Sequence, residues 1–494
     1  MKRFISLLLA MTLLCALCAG CNGDKQLANA TPQQDPDAPC TLRVVTESTA
    51  ASCNYMDPGV SFLVDAIYNT INYYKSAHQN VDVELEILPG TEEARNARLQ
   101  ALRTEIMAGK GPDLFLLPAG RLSGEEGWEM PALFQNVEQA MQNGHFADLS
   151  AFYDADTELK TDELQRSIMD AGVVDGKRFI LPLGFDCSLF VGNGGKLDAL
   201  DFDLTEAASN DLFFMYDAVL EHGDPSLAFG AWIGSGVLPN HFSHLFDFAS
   251  ERVNLSEDEL LRYLNYQQKL TAQRINFQPN DNIGEVFSYC RALQDGDEEV
   301  KFIYGEECNF PMNGTRLSII PDALGLAKYE KVDLVKEQAR TTSGETLAKV
   351  TYWGAVNAAS EVQAQAYELL RLFLMPEVQF QTGFGGLSTR LKMQQRRIGW
   401  PVRVAGSVQA QWKVARGAAS GEVASELVKI DLTDDELPFL SQPFDEVRFD
   451  YDLGWENRLL VQELAFSNFP ATDAQLEEAA TKVLEELRYY LAES

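Results

Sequence analysis

Residues 81–117 read VDVELEILPGTEEARNARLQALRTEIMAGKGPDLFLL. From Val81 to Ile87 apolar and acidic residues alternate strictly, which is the period of a strand with one face buried. Leu99, Leu102, Ile106 and Met107 then recur at helical spacing and stop at Gly109, a residue suited to ending a helix. Gly111-Pro112-Asp113 turns into Leu114-Phe115-Leu116-Leu117, a continuous apolar run closed by Pro118. Such a run suits a strand covered on both faces. Upstream, Leu42–Thr46 reads as a first strand, and Phe62, Leu63, Ala66, Ile67, Tyr73 and Tyr74 space out a helix. Strand–helix–strand–helix–strand predicts a doubly wound parallel sheet. Ligands in that architecture gather beyond the carboxyl ends of the strands, so the loops at 47–57 and 118–128 are cleft candidates.

Further along, Asp175-Gly176 marks a tight turn between two extended runs, and the hairpin leads into a Pro-punctuated strand near Leu181-Pro182-Leu183. Residues 211–348 predict more helices, with strands at Phe302–Tyr304 and Leu317–Ile320. Residues 349–359 read as another strand. Behind it Ser360 and Gln363 have the spacing of a capping box. Val362, Ala366, Leu369, Leu370, Phe373 and Leu374 form one apolar stripe, and Pro376 ends that helix. A last amphipathic helix runs through Leu476, Ala480, Val483, Leu484, Leu487 and Leu491. There is no internal repeat.

A length of 494 residues suits two or three domains, or one large two-lobed unit. Hydrophobic residues make up 46%, enough to build a sizeable core and to exclude a disordered chain. Lys and Arg number 40 against 73 Asp and Glu, a net charge of −33. Phosphate backbones and anionic headgroups repel such a chain, so nucleic-acid binding through a basic face is not expected. Lys2 and Arg3 precede an apolar stretch at 4–20, shorter than the ~20 residues of a spanning helix, and the pair reads as a secretory signal. The stretch ends Leu17-Cys18-Ala19-Gly20-Cys21, which resembles a bacterial lipobox cleaved before Cys21, with lipid (palmitate among it) on that thiol. Cys18 departs from the pattern, which prefers Leu there; the plainer reading is an ordinary signal peptide with an incidental cysteine. Residues 1–20 are thus taken as a lipoprotein signal peptide and 21–40 as a flexible tether. Five cysteines remain in the body: Cys40, Cys53, Cys187, Cys290 and Cys308. Cys40 with Cys53 and Cys290 with Cys308 are possible pairs, and five reduced thiols are the equal alternative.

Several segments together resemble the extracellular solute-binding proteins of ABC importers, of the sugar-binding, maltose-binding-protein-like kind found as lipoproteins in Gram-positive bacteria. The lipobox and tether are one block. Leu99 to Asp113 looks like the family's helix and Gly-x-x-Pro-Asp turn, and Asp175 to Pro182 is similar to its first crossover strand. Tyr352 to Gln379 resembles its return strand and helix, and Gly385-Gly386-Leu387 its last crossing. The resemblance covers most of 41–390 and little of 200–340 or beyond 390. It implies an α/β, two-lobed periplasmic-binding-protein-like fold, each lobe a doubly wound sheet flanked by helices, with multiple hinge crossovers. One lobe would take 41–183 plus 351–386, the other 184–350 plus 387–494. Solute between the lobes would stabilise a closed form that the permease recognises.

A sugar ring has an apolar face and a polar rim, so its cleft needs aromatic platforms ringed by carboxylates or amides. Trp232 sits among small residues in Gly230-Ala231-Trp232-Ile233-Gly234-Ser235-Gly236, and Trp353 lies at the expected return crossing. Either is otherwise a core or surface tryptophan. Tyr55 follows the first strand, Glu47 ends it, and Asp186 lies just past the hinge strand, where a hinge salt bridge is its plainer role. Asp113 reads as a turn residue. No Walker loop, H-E-x-x-H or G-x-S-x-G occurs, and His241-x-x-His244 alone is a weak metal signal. The expectation is a non-enzymatic receptor on the outer face of the cell membrane, a monomer without cofactor or metal. Its partners would be a small solute (a sugar, oligosaccharide by preference), the permease membrane subunits, and the membrane through its lipid. A secreted lipoprotein glycoside hydrolase, acting through one of many possible carboxylate pairs, and a non-transport surface binding protein are the alternatives.

Overall fold

The computed structural model describes residues 37–47, 61–120, 122–123, 129–231, 241–248, 250–274, 311–317, 333–379, 400–401, 408–417, 423–432, 442–449 and 470–493. The opening elements come in the expected order: β1 (Cys40–Thr46), α1 (Ser61–Ala77), β2 (Val81–Ile87), α2 (Glu92–Met107) and β3 (Leu114–Pro118). β1 pairs in parallel with β2 on one side and β3 on the other. β3 is buried at every position, as its unbroken apolar run requires. β2 lies at the sheet edge, and only Val81 within it is fully buried. α2 ends as its sequence demands: Gly109 takes φ 69°, and the N–H of Lys110 donates to the carbonyl of Glu105 at 2.9 Å.

Next come α3 (Val137–Gln142) and the hairpin β4 (Val173–Val174) and β5 (Lys177–Arg178). Asp175 and Gly176 turn it with φ 51° and 75°, the positive pair that matches strand twist. β6 (Leu181–Asn193) follows, then α4 (Leu212–His222), α5 (Pro225–Gly230) and α6 (Glu257–Arg274). The remaining elements are β7 (Met312–Arg316), β8 (Leu334–Gln338), β9 (Leu347–Val356), α7 (Gln363–Leu372), β10 (Trp400–Pro401), the hairpin β11 (Val408–Gly417) and β12 (Val423–Leu432), β13 (Glu446–Phe449), and α8 (Asp473–Glu493).

One nine-stranded sheet has the path β2-β1-β3-β9-β6-β7, with β8 and β10 also on β6 and β13 on β9. β9 runs antiparallel to both β3 and β6. β13 pairs with β9 along the edge that β3 uses further on, so the carboxyl ends of β3 and β13 approach each other. Side chains divide between two cores. The first holds β1, β3, β9 and α7; the second holds α4, α6 and α8. Phe185, Cys187 and Leu189 of β6 belong to the first core and Phe190 to the second. The chain passes between cores within β6, again between Ala339 and Ala348, and again between Phe449 and Leu476. This is the two-lobed α/β architecture with repeated crossovers.

Several local expectations need correction. Tyr73 is 66% and Met107 81% exposed: the buried faces are Ile67, Ile71, Tyr74 and Arg95, Leu99, Leu102, Ile106, and each neighbour falls about 100° away. A strand is found at Met312–Arg316, drawn into extension by antiparallel pairing with β6; of the strand expected at Leu317–Ile320 only Leu317 is described, just past it, and residues 318–320 and Phe302–Tyr304 lie outside the described residues. Ser360 and Gln363 form no capping box. The Ser360 hydroxyl donates to Asp113 Oδ1 at 2.7 Å, and Gln363 is itself the first residue of α7. Cys40 and Cys187 are free thiols, so the Cys40–Cys53 pair is not formed; Cys53, Cys290 and Cys308 lie outside the described residues.

Candidate functional site

β1 connects to β2 on one side, and the chain then recrosses to β3 on the other. The crevice at the carboxyl ends of β1 and β3 is therefore the sheet's switch point, the place where such sheets bind ligands. β1 delivers Thr46 and Glu47 there. Thr46 Oγ1 and the Tyr352 hydroxyl lie 2.9 Å apart, and each is 2.9 Å from the carbonyl oxygen of Leu116 on β3. Burial pushes the Tyr352 hydroxyl well above the usual tyrosine range; the bond to Thr46 opposes this and the charge of Glu47 adds to it. Tyr352 is thus a fixed neutral tie between β1, β3 and β9.

Glu47 is 3% exposed and is met by Arg95, which is fully buried. The pair is bidentate: Nη1 donates to Oε2 and Nη2 to Oε1, both at 2.8 Å. Arg95 Nε and Nη2 also donate to the carbonyl of Pro131 at 2.9 and 2.7 Å. Both charges are therefore bonded where solvation is lost, which is the condition for keeping an ion pair buried. Sequence reading missed Arg95, although the signal was present. Positions 95, 99, 102 and 106 make one helical stripe, and a guanidinium on an apolar stripe needs an anion opposite.

The joint lies beside this crevice. Val350 pairs with Phe185, but Tyr352 pairs with Gly184 and Trp353 with Pro182, so Thr351 on β9 and Leu183 on β6 are each an unopposed residue. Two bulges in adjacent strands bend and twist the pair within the first core, ahead of the passage to the second at Phe190. Asp186 stands opposite Lys349 in this ladder, and its Oδ1 accepts from the N–H of Cys187 at 2.9 Å. Burial, and then the charge of Asp186, push the Cys187 thiol well up, so it stays protonated. Trp353 is 1% exposed, with its ring among Phe146 at 5.5 Å, Phe134 at 5.9 Å and Phe449 at 6.4 Å; it sits inside the first core.

The structure thus brings Glu47, Asp186 and Trp353 to one end of the sheet, while Trp232, Tyr55 and Cys21 lie outside the described residues. The segment leading to Trp232 is firmly seated. A Cβ on Gly230 would lie 2.0 Å from the carbonyl oxygen of Met312, so α5 packs directly on β7. The two histidines of His241-x-x-His244 part company: His241 is buried with Nδ1 2.7 Å from the Tyr263 hydroxyl, and His244 is exposed. Among the described residues no group of three His, Cys, Asp or Glu is placed to hold a metal ion, and no helix is long and apolar enough to cross a membrane. The carboxyl ends of β1 and β3 thus carry a buried, fully bonded ion pair and a tyrosine tie beside a bulged strand pair.

No protein-family model matches the chain, and no curated protein matches it. Solved structures do. An extracellular solute-binding protein of family 1 from Alicyclobacillus acidocaldarius is 12% identical, with 92% of this chain and 99% of that one covered and a TM-score of 0.50. A de novo designed cysteine esterase, ECH19, is 11% identical over 92% and 98%, with a TM-score of 0.52. The galacto-N-biose-/lacto-N-biose I-binding protein of a Bifidobacterium longum ABC transporter is 11% identical over 92% and 98%, at 0.49. At such identities the likeness is one of fold, and the fold is that of extracellular solute-binding proteins. A designed esterase in the same group is a reminder that fold does not carry chemistry.

Proposed function

We propose that this chain is the lipid-anchored receptor of an ABC importer, which holds a carbohydrate between its lobes and passes it unchanged to the permease. One observation carries the reading. Two separate cores are joined by repeated crossings, and the crossing pair β6 and β9 is bulged at Leu183 and Thr351 beside the switch-point crevice. Bent crossing strands let two rigid bodies swing, and a guest touching both favours the form in which they meet. In this reading the lobes divide near 189–190 on β6 and between Ala339 and Ala348 ahead of β9. Trp232 and Tyr55 supply aromatic platforms from loops, Asp186 and Glu47 line the floor, and Trp353 backs it. The lipid on Cys21 and residues 22–40 keep the receptor at the outer membrane face.

Titrating the purified protein with a panel of glycans, while following the fluorescence of its six tryptophans, tests this. A saturable change with one class of oligosaccharide, and no sugar breakdown, is expected. A response only to peptides would remove the sugar and leave the receptor. Turnover of a chromogenic glycoside would remove the receptor.

A further inference from the structure

Pro89 lies just past β2 and Pro131 on the return from β3. A proline has no N–H, so its backbone is tied down through its carbonyl, by a donor brought from elsewhere. Arg95 brings that donor to both. Nη1 donates to the Pro89 carbonyl at 3.4 Å, and Nε and Nη2 donate to that of Pro131 at 2.9 and 2.7 Å. The same Nη1 and Nη2 hold the Glu47 carboxylate at the exit of β1. Arg103, about two turns further along α2, continues the line: Nη2 donates to the carbonyl of Ala132 at 2.8 Å and Nε to that of Leu133 at 3.0 Å. The consecutive carbonyls of Pro131, Ala132 and Leu133 thus all accept from guanidinium groups of one helix.

The carboxyl ends of three neighbouring strands therefore meet on one side chain. β1 lies between β2 and β3 in the sheet, and β1 and β3 border the switch-point crevice. A guanidinium has five N–H donors in a fixed plane, and Arg95 makes five bonds with them. Neutralising Glu47 uses two. The other three go to the backbone at Pro89 and Pro131, so the side chain does more than balance a buried charge.

We propose, resting on the receptor reading, that Arg95 is a positioning residue of the guest site. It gathers the exits of β1 and β2 and the return from β3 on one guanidinium, so that the rim of the crevice has its shape before a guest arrives. Arg95 is fully buried and acts through the backbone it holds. A rim held in advance spares the guest the cost of ordering it, and that saving appears as affinity.

The test uses the full chain carrying Arg95→Leu and Glu47→Leu together, which leaves no charge buried alone. This double variant should recover most of the denaturation midpoint lost in Arg95→Leu. Amide hydrogen exchange, read by mass spectrometry without any guest, should still quicken about tenfold or more over 88–91 and 129–133, and stay unchanged over α7. Affinity for the glycan that the wild type binds in the fluorescence titration should stay about tenfold or more below the wild-type value. Arg95→Lys, which keeps a charge for Glu47 and loses the fork, should quicken exchange over 129–133 in the same way, and it carries the test if the double variant does not fold. Wild-type exchange over 129–133 in these variants, or an affinity that returns with the midpoint, overturns the proposal, because the pair would then be structural only. A wild type that binds no glycan removes the receptor reading instead, and exchange still reports whether Arg95 holds the rim.

Discussion

Single residues at the crevice act through what they satisfy. Arg95 neutralises Glu47 and supplies donors to Pro131, so Arg95→Leu should cost about 3–5 kcal/mol, because a carboxylate is left buried and alone. Replacing both partners with Leu should recover most of that, and chemical denaturation of the two variants checks the contrast. Glu138 gives a pH signature in stability. Folding raises its pKa from 4.5 to about 7. Its neutral form is therefore the one the fold favours, with the benefit full below pH 4.5 and lost as pH rises to 7. Relative to Glu138→Gln, the wild type should lose about 1–2 kcal/mol across that window, with partial exposure of the carboxyl allowed for. Denaturation midpoints at pH 5 and 8 measure it. At this scale the sequence was half legible. The Arg95 stripe was there to be read, and Asp113 was read correctly as a turn residue, since its Oδ2 accepts the Arg43 N–H. The enclosure of Trp353 was not visible, because it depends on Phe449, far along the chain.

Elements were legible where their physics is local. β3 follows from an apolar run, the 175–176 turn from Asp-Gly, and α8 from a stripe whose Leu476, Ala480, Val483, Leu484, Leu487 and Leu491 are all buried. They failed where a distant partner decides. Met312–Arg316 has no apolar alternation and is extended because β6 offers an edge, and Ser360 gives its hydroxyl to Asp113, 247 positions away, instead of capping α7. Close approach between elements was equally hidden. Gly230 lets α5 rest on the backbone of β7, and a methyl there meets a carbonyl oxygen that cannot step aside. Gly230→Ala should destabilise by about 1–3 kcal/mol, and calorimetry would show the lowered midpoint. Gly354 is the milder case, since the atom met there, at 2.2 Å, is the end of the Leu370 side chain.

At the scale of the whole molecule, sequence blocks in the right order anticipated two lobes, because crossover strands and their turns have recognisable local grammar. The late pairing of β13 with β9 was beyond reach, since residues past 390 carried no familiar pattern. That pairing, with the placement of α8, has a consequence for how the protein is born. Phe444 and Phe449 complete a core begun at Leu42, and Leu476 to Leu491 complete one begun at Phe190. Neither lobe can mature on its own while the ribosome is still reading. Contacts this remote in sequence form slowly. A nascent polypeptide therefore closes neither core until its final strand and helix have emerged, and the two halves ripen together.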